Sequence, residues 1–217
     1  MRSLILLALL LGSIPTVMAQ VNKFENDIVS FENKDKLNPP VSKKLIVFAG
    51  SSSIVRWSSL LQDYADKNVI NRGFGGSQTT DLIEYADRVI SVYHPDQVFI
   101  YEGDNDLSDG KTPLQVFNNF KILFEKIRTK DAKIQVSFIS IKPSPSRRKL
   151  LPSIKETNTL IKEFLSTQKR TDFINIFDPM LAPGEKFIPE LYEADSLHMT
   201  PKGYEIWAKQ IKPYIKD

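Results

Sequence analysis

The chain has 217 residues, a formal charge of +3, 25% charged residues, two histidines and no cysteine. So small a charge excess does not imply nucleic acid or a strongly anionic surface as partner, and a chain without cysteine has neither disulfides nor thiolate metal sites. Two histidines leave little for a zinc centre, so no metal or cofactor is expected, and stability must come from an apolar core.

Met1-Arg2, the apolar run from Leu4 to Leu11 and the Val17-Met18-Ala19 stretch are laid out as a secretory signal peptide cleaved after Ala19. The run is shorter than the roughly 20 residues that cross a bilayer, and no cysteine follows for lipid attachment. Export to a periplasm or the medium is therefore expected, without a stable membrane anchor. Residues 20–41 are polar, close with Pro39-Pro40, and contain one weakly amphipathic stretch from Phe24 to Phe31. They read as an N-terminal arm or short helix packed on a single domain over 42–217.

Within that domain strand-like and helix-like segments alternate. Leu45-Ile46-Val47-Phe48-Ala49 is a continuous apolar run, the mark of a strand buried on both faces. Further strands are predicted over 68–71, 97–101, 134–141 and 173–176. Helical periodicity covers 79–93, 114–128, 154–168 and 202–215, and Thr112-Pro113 and Thr200-Pro201 each pair an N-cap with proline at the first helical position. Pro213 should fray or kink the end of the last helix. Five strands alternating with helices predict an α/β fold with a five-stranded parallel sheet in a three-layer α/β/α sandwich of flavodoxin-like topology.

Ligands of such folds bind beyond the carboxyl ends of the strands. The first strand ends in Gly50-Ser51-Ser52-Ser53, where a serine hydroxyl is placed either as nucleophile or as helix cap. The second ends in Asn71-Arg72-Gly73-Phe74-Gly75-Gly76-Ser77, whose spacing fails the dinucleotide fingerprint but lets backbone approach a ligand closely. A flexible turn is the alternative. The third ends in Glu102-Gly103-Asp104-Asn105-Asp106, where an asparagine amide can donate to an oxyanion. A calcium loop here would need glycine where Asp109 stands and an acid where Gln115 stands. Near the C-terminus, Asp195-Ser196-Leu197-His198 sets an imidazole beside a carboxylate, half of a nucleophile-activating triad.

Together these four blocks resemble the SGNH, or GDSL-type, esterase and lipase family over essentially the whole domain, from Leu45 through the last helix. The resemblance implies Ser52 as nucleophile, Asp195 and His198 as its partners, and an oxyanion hole of the Ser52 and Gly76 N–H groups with the Asn105 side chain. It implies a secreted esterase acting on small acyl or O-acetyl esters of lipid or carbohydrate origin. A catalytically silent binding module on the same fold is the alternative. Ser51 stands where the family carries aspartate, which puts the support of the Ser52 loop in question. Of the remaining polar residues, His94 falls at the opposite end of the sheet and reads as structural. Arg147-Arg148-Lys149 forms a basic loop on the site's side, solvated or in contact with an anionic or sugar substrate. Trp57 reads as core, and Phe74 is a candidate for lining an acyl pocket.

Overall fold

The computed structural model describes residues 23–216, so the expected signal peptide lies outside the described residues. The sheet has five parallel strands in the order β2-β1-β3-β4-β5, with β1 over Leu45–Gly50, β2 over Asn68–Gly73, β3 over Gln97–Tyr101, β4 over Gln135–Ile139 and β5 over Thr171–Ile174. This is the flavodoxin-like order, with β1 second from one edge and the strand order reversing between β1 and β3.

Alternation along β1 builds the two cores. Leu45, Val47 and Ala49 pack with the helices of one face, while Ile46 and Phe48 pack with those of the other. The first face is covered by α1 (Glu25–Leu37), α4 (Thr79–Val89), α5 (Asp104–Ser108), α6 (Pro113–Lys130) and α7 (Leu151–Ser166). The second carries α2 (Ser52–Val55), α3 (Leu60–Asp63) and α8 (Pro201–Ile211). There Phe48 stacks on Phe99 at 4.5 Å and meets Trp57 edge-on at 5.7 Å, and Trp57 meets Trp207 at 5.8 Å. Truncating the fully buried Trp207 to alanine would open a cavity costing about 3–5 kcal/mol. Trp57 is core, as its sequence context suggested.

The departures from expectation are local. The arm is a 13-residue helix, α1, whose approach brings Phe24 against Phe74 at 5.0 Å. Phe74 is buried between Phe24 and Tyr85; it belongs to the core and lines no acyl pocket. β5 lies two residues earlier than predicted, because Ser140 Oγ accepts from the Ile176 and Phe177 N–H groups and turns the chain out of the sheet. Pro213 falls in a 3-10 turn, Lys212–Tyr214, that ends α8. A small antiparallel hairpin, β6 (Leu181–Ala182) with β7 (Lys186–Phe187), had no separate sequence signal.

Candidate active site

Gly50 ends β1 with φ +138°, and a Cβ there would lie 2.1 Å from the Tyr101 carbonyl oxygen. Only glycine lets β1 run this close to β3 and still turn into α2. Ser51 is the N-cap of α2 and Ser52 its first residue. Ser51 makes no side-chain capping bond, so the missing aspartate is not replaced by a hydroxyl. The turn is held from outside instead. Asn71 Nδ2 donates to the Ile54 carbonyl at 2.7 Å, Tyr204 Oη donates to the Ser53 carbonyl at 2.9 Å, and the Phe74 N–H donates to the Gly50 carbonyl at 2.9 Å.

Opposite this turn, the loop before α8 carries Asp195 and His198. It is closed by Glu193 N–H donating to the His198 carbonyl and Ser196 N–H to the Glu193 carbonyl, both at 2.8 Å, with Ser196 in the left-handed region at φ +58°. Asp195 Oδ1 accepts from the Leu197 and His198 N–H groups at 2.9 Å each, and Oδ2 faces His198 Nδ1 at 2.6 Å. The His198 side-chain bond, then the two backbone bonds, holds the Asp195 carboxyl well below the usual carboxylate range. His198 Nε2 in turn lies 3.0 Å from Ser52 Oγ. A carboxylate, an imidazole and a hydroxyl in series can pass the serine proton to the ring as the oxygen attacks.

The other two strand ends converge on the same place. Gly76 is exposed with φ +80°, and neither its N–H nor that of Ser52 donates to an acceptor among the described residues. Asn105 gives one of its two amide hydrogens to the Ser77 carbonyl at 2.8 Å, which leaves the second for a ligand. Asp106, fully buried, accepts from the Thr79 N–H at 2.9 Å and its hydroxyl at 3.1 Å, and pairs with Lys111 at 2.8 Å. That ties the start of α4 to the asparagine block.

Sequence reading passed over the next layer. Ser77, with no exposed surface, donates to Glu102 Oε1 at 2.6 Å, while Glu102 Oε2 is buried without a partner. Burial pushes the Glu102 carboxyl well above its ordinary range; the Ser77 bond offsets only part of this, and Asp106, Asp81 and Asp104 add to it. That favours its protonated form. Asp104 is almost as buried, yet Lys142 at 3.0 Å and Arg147 at 3.0 Å outweigh that burial and hold it below its ordinary range. Asp104 and Asp106 thus face different cations, an arrangement unlike a shared calcium loop. Arg148 lies over the Phe187 ring at 4.7 Å, Lys149 is exposed, and His94 is exposed at the start of β3, away from the site. The only sequence hint of the buried ion pair is a lysine closing the apolar stretch Ile139-Ser140-Ile141.

The sequence model of the GDSL-like lipase/acylhydrolase family matches residues 41–206. The chain belongs to that family. Family membership makes it a carboxylic ester hydrolase. No curated protein matches the chain. Among solved structures it is similar to a GDSL-like lipase from Bacteroides thetaiotaomicron, at 23% identity over 87% of this chain and 97% of that one with a TM-score of 0.73. It is similar to the lipase/acylhydrolase from Enterococcus faecalis at 26% identity, covering 80% and 97% of the two chains with a TM-score of 0.65. A carbohydrate esterase of family 3 from Talaromyces cellulolyticus shares 18% identity over 78% of this chain and 95% of that one, with a TM-score of 0.64. At these identities the last and the first of the three speak to the fold alone, the sheet and helix layers described above.

Proposed function

We propose that the protein is an exported serine esterase that hydrolyses small acyl or O-acetyl esters by two-step acyl transfer. Ser52 attacks the carbonyl while His198 takes its proton and Asp195 holds the ring and stabilises the imidazolium. The Ser52 and Gly76 N–H groups and the free Asn105 amide hydrogen receive the oxyanion. His198 returns the proton to the leaving alcohol, then activates the water that releases the acid.

The observation that carries this reading is the unbroken series from Asp195 Oδ2 through His198 to Ser52 Oγ, with contacts of 2.6 and 3.0 Å. A binding module has no need of that spacing. Small esters are favoured because no long apolar lid is inserted between the described elements. Export rests on the layout of residues 1–19. The test is hydrolysis of 4-nitrophenyl esters of rising acyl length: acetate and propionate turn over fastest, and Ser52→Ala abolishes turnover. A preference for long chains would contradict the substrate range, and an active Ser52→Ala would contradict the mechanism.

A further inference from the structure

Two cations border the oxyanion pocket, and neither is neutralised by a partner of its own. On the β4 side, Asp104 adjoins Asn105 and receives both Lys142 Nζ and Arg147 Nε at 3.0 Å. One carboxylate cannot cancel two cations, so the cluster keeps a net positive charge. Lys142 is shut in at 1% side-chain exposure, whereas Arg147 is 20% exposed, so the excess is presented to solvent through Arg147. Its two Nη groups meet no acceptor among the described residues. The turn that carries it, Pro145–Leu150, is joined to the His198 loop by the Ser146 N–H, which donates to the Ser196 carbonyl at 3.0 Å.

On the β2 side, a Cβ placed on Gly76 would lie 4.0 Å from Lys23 Nζ. Lys23 contacts the Phe24 ring at 4.7 Å and pairs with no carboxylate among the described residues. The Phe24–Phe74 contact at 5.0 Å docks this end of the arm on the glycine turn, so the ammonium is carried there by core packing. Beside Gly76, a Cβ on Gly75 would meet nothing within 4 Å. Of the acids near the triad, Asp195 is turned to His198 and its own loop. Glu193 lines a neighbouring cleft together with Arg148 and Lys186. With a chain charge of only +3, this is a local arrangement, and cations around a cleft concentrate anionic ligands there.

We propose that the pocket selects esters carrying a negative charge, a carboxylate or phosphate close to the ester bond, with Lys23 and Arg147 receiving that charge on either side of Ser52. The proposal rests on the esterase reading and names its substrate class.

The test is the ratio of kcat/KM on an anionic ester to that on a neutral one, for the parent, Lys23→Gln, Arg147→Gln and the double variant. The anionic esters are an O-acetylated galacturonate oligosaccharide and a short-chain acyl glycerophosphate; the neutral one is an O-acetylated xylo-oligosaccharide. The ratio should fall about tenfold for each cation removed, shrink with added salt in the parent, and return in Lys23→Arg. The arm that responds identifies the source of the charge, carboxylate or phosphate. Because Arg147 also steadies Asp104, Lys23→Gln on the exposed arm gives an independent reading. Unchanged ratios in the double variant on both anionic esters overturn the proposal. Calorimetric binding of the same esters to Ser52→Ala scores charge preference without turnover. A parent inert on every ester would therefore count against the esterase reading while the anion site is still judged by affinity.

Discussion

Replacing Asn105 by alanine should separate binding from turnover. The side chain donates one amide hydrogen to the Ser77 carbonyl at 2.8 Å and offers the other to the developing oxyanion. Losing one such donor costs about 2.7–4 kcal/mol of transition-state stabilisation, or a factor of about 10²–10³ in kcat. The ground-state carbonyl is a weaker acceptor, so KM should change by about threefold at most. The lost Ser77 contact adds a smaller term, about 1 kcal/mol of stability, that urea unfolding reads separately. Steady-state hydrolysis of 4-nitrophenyl acetate, with the folded fraction checked at the same pH, gives both parameters. A kcat within threefold of the parent would refute the assignment of Asn105 to the oxyanion, as would a loss confined to KM.

Three further outcomes follow from the charges around the site. Asp195→Asn should cut kcat by about 10⁴ by allowing the wrong imidazole tautomer, yet cost at most about 1 kcal/mol, since the pair is exposed and screened; a retained kcat would contradict the role. Because the Asp195 carboxyl is held below its ordinary range, its support of the loop is complete above pH about 4 and lost as pH falls through the depressed folded value. Glu102 has the opposite sign: its folded carboxyl keeps a proton that the unfolded chain releases above about pH 4.3. The parent should therefore lose stability relative to Glu102→Gln as pH rises, with a slope approaching about 1.4 kcal/mol per pH unit. Urea titrations at pH 5, 6, 7 and 8 measure it, and a constant difference would show Glu102 to be ionised in the fold.

The five strands and the four site blocks were legible because each couples an apolar run to residues that suit a strand end: Gly50 with Ser52, Gly75 with Gly76, Gly103 with Asn105. The Asp195–His198 pair was legible because its spacing and its place before a Thr-Pro helix start are both local. What escaped notice depends on contacts distant in sequence. Glu102 meets Ser77 across 25 positions and Lys142 meets Asp104 across 38. In isolation a glutamate or lysine beside an apolar run looks like a solvated flank, and only packing makes it a buried acid or ion pair. The burial of Phe74 has the same origin, since the arm that covers it lies some fifty residues earlier.

The most direct test of the account is covalent labelling of the folded protein by a fluorophosphonate, followed by peptide mass spectrometry. The account predicts one equivalent of label, carried on Ser52, with labelling lost in Ser52→Ala and strongly slowed in His198→Ala. Label on Ser51, Ser53 or Ser77, or none on correctly folded protein, would contradict it.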